Sequence, residues 1–407
     1  MRILILSFYF PPDLSAGSFR TKALVDALME RGGADLHIDV ITTMPNRYQS
    51  LSNAASEEET NCNLTIRRIS LPSHQSGMAD QARAFLHFAR QARSLVRGEN
   101  WDLVYGTSSR LMTAVLSAGL AKRVKAPLYL DIRDLFTDTM ANILAGQMSR
   151  LLLPFFRGLE RRTFRSATRI NLVSPGFVDH VRRVSGKQDL SLFTNGIDDE
   201  FLNLGWSPAR APASSPLILY AGNIGEGQGL HNILPDAARL LEGKARLRIV
   251  GDGGRRKQLE AALSAATSDT VELLDPVPRL QLLGYYQTAD ILFLHLNDYD
   301  AFRKVLPSKL FEYAATGKPI LAGVAGYAAD FIRSEIEGAE VFEPCDAQGM
   351  RGALKRLQQQ PAAFSRQAFL ERYARRNIMR RMADEILELA RRTHYAQEIT
   401  SGALSAQ

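Results

Sequence analysis

Short apolar runs alternate with longer stretches of helical periodicity along the first half of the chain. Residues 3–6 predict a buried first strand, and residues 19–29 predict a helix with one apolar face. Further strands are predicted at 37–41, 64–70, 103–106, 128–132 and 170–173, with helices at 82–96 and 112–122. This alternation predicts a mostly parallel sheet that is covered by helices.

The alternation stops after residue 196 and then starts again. Residues 203–216 contain three prolines and little periodicity, as expected of a linker. Strands are then predicted at 217–220, 247–250, 271–274, 291–294 and 319–322, and helices at 230–241, 257–265 and 310–316. The sequence therefore predicts an α/β fold with two Rossmann-like β/α/β domains that face each other across a cleft. The predicted first domain spans residues 1–200 and the second spans residues 217–370. A linker at 201–216 joins them, and a C-terminal helix at 371–395 follows.

Composition places the chain among ordinary folded proteins and adds a basic surplus. Of its 407 residues, 45% are hydrophobic and 23% are charged, which excludes wholesale disorder. The formal charge is +7, and residues 351–395 alone carry eleven Arg and Lys against four acids. A basic face attracts phosphate of any kind, but no nucleic-acid-binding module is recognised, so we expect no nucleic-acid partner.

Other classes are excluded by what the sequence lacks. Two cysteines, Cys62 and Cys345, cannot form a disulfide framework or a four-cysteine zinc site. No apolar run approaches the ~20 residues of a membrane span, and the N-terminus lacks a signal-peptide pattern. We therefore expect a cytoplasmic protein. We expect neither a metal nor another cofactor.

Three glycine-containing loops follow predicted strands. Gly17 and Ser18 open the first helix, where backbone N–H groups can meet an anion; the alternative is a plain connection with Ser18 as N-cap. A second loop spans residues 220–229 and a third spans 251–254. Each could be only a tight turn, but two in one domain indicate a nucleotide site. None is G-x-G-x-x-G, which disfavours a dehydrogenase.

The segment 305–315 carries the sharpest signal. Pro307 and Ser308 predict a helix start, which places Lys309 and Glu312 on one helical face. A lysine there suits a diphosphate and a carboxylate one turn later suits a ribose diol. The alternative is an exposed salt pair.

These segments, in this order and spacing, resemble the donor-nucleotide half of family 4 glycosyltransferases, which have the GT-B fold. The loop ending at Gly17 and residues 194–198 are similar to the same family, so the resemblance covers essentially the whole chain. It is strongest to bacterial transferases of O-antigen, capsule and exopolysaccharide assembly, N-acetyl-L-fucosamine transferases included. The resemblance implies sugar transfer from a UDP-sugar, or a GDP-sugar, with retention of configuration.

The resemblance also assigns donor-site roles. Glu312 matches the second glutamate of the family's E-x7-E element, which holds the donor ribose, but the first position holds Lys304. Asn223 and Gln228 stand where the family often has a basic pair, so Lys309 is expected to neutralise the diphosphate, with Lys304 or Arg303. The predicted donor-binding residues are Gly17, Ser18, Gly222, Asn223, Gln228, Gly229, Gly251, Lys304, Pro307, Ser308, Lys309, Leu310 and Glu312, with Lys309 and Glu312 also expected to be catalytic.

By the same resemblance, domain 1–200 binds the acceptor and domain 217–370 the donor. Arg133 takes the place of a histidine that many relatives have at a strand end. Asp134, expected to be catalytic, and Asp131 are the candidates to orient or deprotonate the acceptor hydroxyl. The alternative is a structural Asp–Arg pair. Helix 371–395 is expected to cross back to the first domain.

Two basic amphipathic stretches, 81–97 and 149–169, have the composition of helices that lie in a membrane interface. The alternative is a core-packed helix with a solvated basic face. With the resemblance, they imply a polyprenyl-diphosphate-linked acceptor and a peripheral position at the inner face of the cytoplasmic membrane. The sequence thus predicts a metal-independent retaining glycosyltransferase that uses a UDP-activated N-acetylated sugar. A UDP-GlcNAc 2-epimerase-like enzyme and a non-catalytic GT-B scaffold, which the residue Lys304 favours, stay open as alternatives.

Overall fold

The chain divides into two compact units. The computed structural model describes residues 1–13, 15–45, 55–72, 78–108, 111–143, 147–206, 215–266 and 269–405. The first unit combines residues 1–195 with 375–407, and the second is the continuous segment 196–374. The division thus falls five residues before the predicted end of the first domain at 200. Half of the predicted linker 201–216, residues 207–214, lies outside the described residues.

The first unit is built on a seven-stranded sheet in the order β3-β4-β2-β1-β5-β6-β7. The strands are β1 (Arg2–Leu6), β2 (His37–Thr43), β3 (Glu58–Asn61), β4 (Leu64–Ile69), β5 (Leu103–Thr107), β6 (Leu128–Ile132) and β7 (Arg169–Leu172). All neighbours are parallel except β3, which pairs antiparallel with β4. The helices are α1 (Ala16–Gly32), α2 (Met78–Leu95), α3 (Leu111–Val124), α4 (Phe136–Ile143), α5 (Gln147–Ser166), α6 (Val178–Ser185) and the C-terminal α15 (Arg375–Ser405).

Helix α15 completes the first unit although it comes last in the sequence. Its apolar face is buried, and Met382 lies 3.6 Å from the guanidinium of Arg20 on α1. Ion pairs between Arg31 and Asp384, at 2.8 Å, and between Arg380 and Glu30, at 2.8 Å, flank the packed face. The helix therefore supplies part of the first unit's core.

The second unit contains a six-stranded, all-parallel sheet in the order β10-β9-β8-β11-β12-β13. The strands are β8 (Leu217–Ala221), β9 (Arg246–Val250), β10 (Val271–Leu274), β11 (Ile291–His295), β12 (Ile320–Gly323) and β13 (Ala339–Phe342). The helices are α7 (Asp199–Asn203), α8 (Leu230–Leu240), α9 (Arg256–Ala266), α10 (Arg279–Thr288), α11 (Lys309–Ala315), α12 (Tyr327–Glu335), α13 (Ala347–Leu357) and α14 (Gln367–Tyr373).

The strand order of the second sheet determines where a ligand can bind. The chain runs outward from β8 through β9 to β10, then returns to the other side of β8 with β11. Such a reversal leaves a crevice at the carboxyl ends of the strands, where open parallel sheets bind ligands. The predicted α/β class with two Rossmann-like domains is confirmed.

Candidate functional site

The glycines after β8 and β9 bring two turns into direct contact. The Gly222 N–H donates to the Val250 carbonyl at 2.9 Å, and the Gly251 N–H donates to the Leu274 carbonyl at 3.1 Å. A Cβ on Gly251 would lie only 1.8 Å from the Gly222 carbonyl oxygen. No other residue fits there without moving the backbone, so these glycines set the shape of the crevice.

Lys309 lies across the first of these turns. A Cβ on Gly222 would meet the Lys309 Cε at 2.2 Å and its Nζ at 3.0 Å. Lys309 begins α11 and is partly exposed. Burial lowers the pKa of its ammonium, and the nearby Glu312 carboxylate opposes that effect. The structure thus brings the lysine and the glycine turn together, as an anion site requires.

Asn223 and Gln228 brace the same turn. Asn223 Nδ2 donates to Gln228 Oε1 at 2.8 Å, and the Gly225 N–H donates to that same oxygen at 3.3 Å. Gly229 follows with φ of 59°, and its missing Cβ leaves room for Asn297. The two amides therefore shape the turn, and their binding of the donor stays a prediction.

A buried histidine hydrogen-bonds to the turn that contains Gln228. His295 is fully buried; its Nδ1 lies 2.6 Å from the Gln228 carbonyl, and its Nε2 accepts the Cys345 N–H at 2.9 Å. Burial lowers the pKa of His295 to about 4. The ring is therefore neutral at pH 7 and donates from Nδ1. Sequence reasoning missed it because it ends an apolar strand and belongs to no motif.

Glu312 is positioned but keeps room for a ligand. Its side chain is 12% exposed, with Oε1 3.6 Å from Arg279 Nη1. The Tyr286 hydroxyl donates to Oε2 at the long distance of 3.4 Å. A carboxylate offers about four acceptor positions, so two such weak contacts leave capacity for the hydroxyls of a diol. Neither Arg279 nor Tyr286 was singled out from the sequence.

The other predicted residues around α11 divide into two groups. Pro307 and Ser308 are partly exposed just before the helix, and Lys304 ends a short 3₁₀ turn, Phe302–Lys304. Leu310, in contrast, is fully buried. Its side chain belongs to the core, and its binding of the donor stays a prediction.

In the first unit, the start of α1 is capped differently from what was predicted. Ser15 Oγ accepts the Ser18 N–H at 3.1 Å, which makes Ser15 the N-cap and uses the donor that Ser18 was expected to offer an anion. The Ser18 side chain is fully buried. Ser18 is therefore neither the cap nor a donor-site N–H. Gly17 is partly exposed, with the Arg133 guanidinium 3.8 Å from the position of a Cβ.

Asp131 is a structural residue, which corrects its proposed role as a base. It is fully buried, and Arg20 binds it through two nitrogens at 2.8 and 3.1 Å. Asn171 and the Tyr105 hydroxyl donate to the same carboxylate at 2.6 and 2.9 Å. Burial would raise the pKa of Asp131, but Arg20 outweighs it, so the pKa is lowered. Four donors fill the acceptor positions and leave none for a substrate.

The Asp–Arg pair at this strand end therefore involves Arg20 rather than Arg133. Arg133 is partly exposed, and burial together with Arg20 lowers its pKa. Asp134 follows β6 and is exposed, as a residue that meets a substrate must be. Its role toward the acceptor stays a prediction.

Within the residues that the structure describes, no three His, Cys, Asp or Glu side chains come together as a metal site. None of the helices in the described ranges is both long enough and apolar enough to cross a membrane.

Two family descriptions match the chain, one in each half. Residues 17–196 match the glycosyl transferase 4-like domain, and residues 208–377 match the glycosyl transferases group 1. The chain belongs to the family 4 glycosyltransferases. The two matches together span most of both sheets, and the predicted resemblance is confirmed at the level of the family.

Relatives of this glycosyltransferase are distant but extend along much of its length. WcaI of Escherichia coli (strain K12), a glycosyl transferase assigned by its name to colanic acid biosynthesis, is 24% identical over 349 residues, 78% of this chain and 82% of that protein. A GDP-mannose-dependent alpha-mannosyltransferase of Mycobacterium tuberculosis (strain CDC 1551 / Oshkosh) is 27% identical over 189 residues, 45% of each chain.

The fold is shared with solved structures, among them that of WaaG, a glycosyltransferase involved in lipopolysaccharide biosynthesis, with a TM-score of 0.62 and 15% identity over 96% of this chain and 98% of WaaG. The crystal structure of Anabaena Alr3699/HepE in complex with UDP and glucose superposes with a TM-score of 0.65 and 15% identity. The alignment covers 95% of this chain and 99% of the Anabaena chain. The glycosyltransferase therefore has the GT-B fold.

Proposed function

We propose that this glycosyltransferase moves a sugar from a UDP-sugar to a lipid-linked saccharide in bacterial surface-polysaccharide synthesis. The favoured donor carries an N-acetylated amino sugar, as in N-acetyl-L-fucosamine transferases, and transfer proceeds with retention and without a metal. The observation that carries the donor half is Lys309 lying across Gly222, one helical turn from the open carboxylate of Glu312. The name of the E. coli relative and the UDP in the Anabaena structure support the polysaccharide and the nucleotide.

The donor's leaving group determines what the site must supply. In the transfer, the bond from the anomeric carbon to the diphosphate oxygen breaks, and a bond to the acceptor oxygen forms on the same face. The acceptor's proton goes to the departing phosphate, so no strong enzymic base is required. Lys309 offsets the negative charge that grows on the diphosphate, and Glu312 holds the ribose hydroxyls. Asp134 orients the acceptor hydroxyl.

The acceptor half of the proposal is supported by exposed side chains of the first unit. Phe155 on α5 is 61% exposed and Leu86 on α2 is 54% exposed. Exposed arginines accompany them, Arg83, Arg90 and Arg93 on α2 and Arg157, Arg161, Arg162 and Arg165 on α5. Apolar side chains beside arginines suit an anionic membrane surface, where a polyprenyl-linked acceptor is held.

The donor site is tested by calorimetric titration of UDP into the full chain. Lys309→Met and Glu312→Ala should each weaken UDP binding by about tenfold or more, because each removes a charge or acceptor that meets the nucleotide. Lys355→Met on α13 and Glu340→Ala are matched controls: Lys355 is exposed, and Glu340 is 19% exposed and paired with Arg356 in the same unit. Both controls should bind UDP as the wild type does.

Two other results would redirect the proposal. Preference for GDP over UDP would change the donor to a GDP-sugar, the nucleotide named for the mycobacterial relative. Absence of binding to either nucleotide by the folded chain would overturn the donor site.

Product analysis with membranes supplied then separates transfer from the alternatives. A transferase releases UDP only when an acceptor is present, whereas an epimerase converts UDP-GlcNAc without one. Nucleotide binding with no turnover of any UDP-sugar would instead indicate a non-catalytic subunit.

A further inference from the structure

Arg279 links the candidate donor carboxylate to the first helix of the second unit. It begins α10 directly after Pro278, and its side chain is 21% exposed. Its Nε donates to Glu200 at 2.5 Å, its Nη2 lies 3.2 Å from Asp198, and its Nη1 lies 3.6 Å from Glu312. One guanidinium therefore serves three carboxylates.

The contacts of Arg279 hold it in one place. Asp198 and Glu200 lie at the start of α7, and the guanidinium sits 4.9 Å from the ring centroid of Phe201 on that helix. Burial lowers the pKa of Arg279, but Glu312 and the α7 carboxylates outweigh it and raise the pKa. A fork-shaped cation held on one side by two acids presents its remaining nitrogen to Glu312 in a fixed direction.

The geometry around Glu312 gives this contact a consequence for Lys309. Lys309 and Glu312 are three residues apart on α11, a spacing at which opposite charges attract. The Lys309 side chain nevertheless lies over Gly222, while Glu312 is paired with Arg279 from the α10 side. The Glu312 carboxylate is thus paired with the Arg279 guanidinium rather than with the Lys309 ammonium.

We propose that Arg279 is a positioning residue: it holds Glu312 toward the donor and keeps Lys309 on the glycine turn, free for the diphosphate. This inference rests on the proposed function. Arg279 itself need not touch the nucleotide, because its effect passes through the two residues of α11. Loss of Arg279 leaves Lys309 as the nearest partner for Glu312, and their pairing removes both from the nucleotide.

The test measures UDP binding to variants of the full chain by calorimetry. Arg279→Gln should weaken UDP binding by about tenfold, and Arg279→Lys should recover most of it because a cation is restored. Arg248→Gln is the matched control: Arg248 is 24% exposed, pairs with Glu272 at 2.6 Å and lies 5.5 Å from the Tyr285 ring centroid, in the same unit. It should bind UDP as the wild type does.

Two readouts separate positioning from a merely structural role. In a Glu312→Gln background, Arg279→Gln should cause no further loss, because no carboxylate is left to hold or to attract Lys309. Uridine, which lacks the diphosphate, should lose less affinity than UDP in Arg279→Gln. Thermal unfolding of each variant shows that it is folded.

The outcomes distinguish this inference from the proposed function. If the wild type binds UDP and Glu312→Gln weakens it, but Arg279→Gln matches the Arg248→Gln control, the inference alone fails. Independent, multiplying losses in the double variant, or equal losses for uridine and UDP, would also overturn it. If the wild type binds neither UDP nor GDP, the donor site fails and this inference fails with it.

Discussion

At the scale of residues, the second unit places its charges by contacts between distant parts of the chain. Glu312 meets Arg279 from α10, and Lys309 meets Gly222 from the turn after β8. His295, from β11, contacts both the Gln228 carbonyl and the Cys345 N–H. The crevice is therefore assembled from at least four segments, and its stability depends on buried polar contacts as well as on glycines.

The lowered pKa of His295 predicts an acid-sensitive second unit. The ring takes up a proton near pH 6.5 when unfolded but only near pH 4 when folded. Between these values the unfolded state binds more protons, so the free energy of unfolding should fall as the pH drops from 6.5 to 4. The full contribution, present above pH 6.5, is roughly 3 kcal/mol from a shift of this size.

Urea unfolding followed by tryptophan fluorescence can measure this effect in one unit. The chain has two tryptophans, and a Trp101→Phe background leaves Trp206, which stacks on Phe201 in the second unit. His295→Gln in that background should be less stable at pH 7 but should show a flatter dependence on pH. An unchanged pH dependence would assign the effect to other groups.

Sequence reasoning found the site residues that adjoin one another in motifs and missed those that do not. Short segments whose spacing carries a chemical meaning contain Gly222, Gly251, Lys309 and Glu312. The structure brings these residues together at the carboxyl ends of the strands. Arg279 follows Pro278 at an ordinary helix start, and nothing local marks it as the partner of a residue 33 positions later. Such pairs depend on tertiary packing, which spacing does not encode.

At the scale of elements, the inner strands of both sheets were predictable, as were the edge strands β7 and β10, but the edge strands β3 and β13 were not. Residues 128–132, which form β6, were predicted with their observed bounds, since a strand buried between helices shows as an apolar run. The bounds of the partly exposed edge strand β10, 271–274, were also predicted as observed. β3 is exposed along its whole length and β13 is mostly half-buried, so neither shows such a run. Helix α1 begins three residues before its predicted start because Ser15 caps it.

Helix α5 carries the prediction of membrane binding. We expect the full chain to sediment with vesicles containing phosphatidylglycerol, and to do so less in high salt, because arginines draw it to anionic lipid. Phe155→Ser should weaken binding about tenfold, the loss expected when one aromatic side chain no longer enters the interface.

Leu280 provides the control for that experiment. It is 84% exposed on α10 of the second unit, and Leu280→Ser should leave vesicle binding unchanged. Equal losses for the two variants would refute a specific role for α5, and absence of binding by the wild type would refute membrane attachment through this unit.

At the scale of the whole molecule, the first unit is discontinuous and the second is not. Helix α15 reaches into the first unit's polar interior: Glu385 accepts from the Tyr129 hydroxyl at 2.7 Å, and His394 Nδ1 lies 3.0 Å from Asp102. The predicted crossing helix was assigned by resemblance, since neither its charge nor its periodicity indicates which unit it covers.

Separate fragments should therefore behave differently. Residues 196–374 alone should unfold cooperatively on heating and bind UDP, whereas residues 1–195 should not fold, because several apolar side chains that α15 covers would be exposed to water. Joining 1–195 to 375–407 through a short Gly/Ser linker should restore folding. The two chain ends to be joined lie close together, because the Ile197 N–H, just after residue 195, donates to the Tyr373 carbonyl, just before residue 375.

Circular dichroism and UDP calorimetry on the three fragments check this prediction. A stable fragment 1–195 would show that α15 is dispensable to the first unit, and an unfolded fragment 196–374 would show that the second depends on its neighbour.

The return of α15 also fixes the order in which the protein can be completed on the ribosome. The second unit is continuous, so it can close as soon as residue 374 has left the exit tunnel, while the first unit, although synthesised first, still lacks a helix. Part of the first unit's apolar surface therefore stays uncovered while the whole second unit is synthesised. A chain terminated prematurely near residue 374 would therefore carry a complete second unit, which holds the candidate site, and a first unit that lacks α15. It would be the form most exposed to chaperones and proteases.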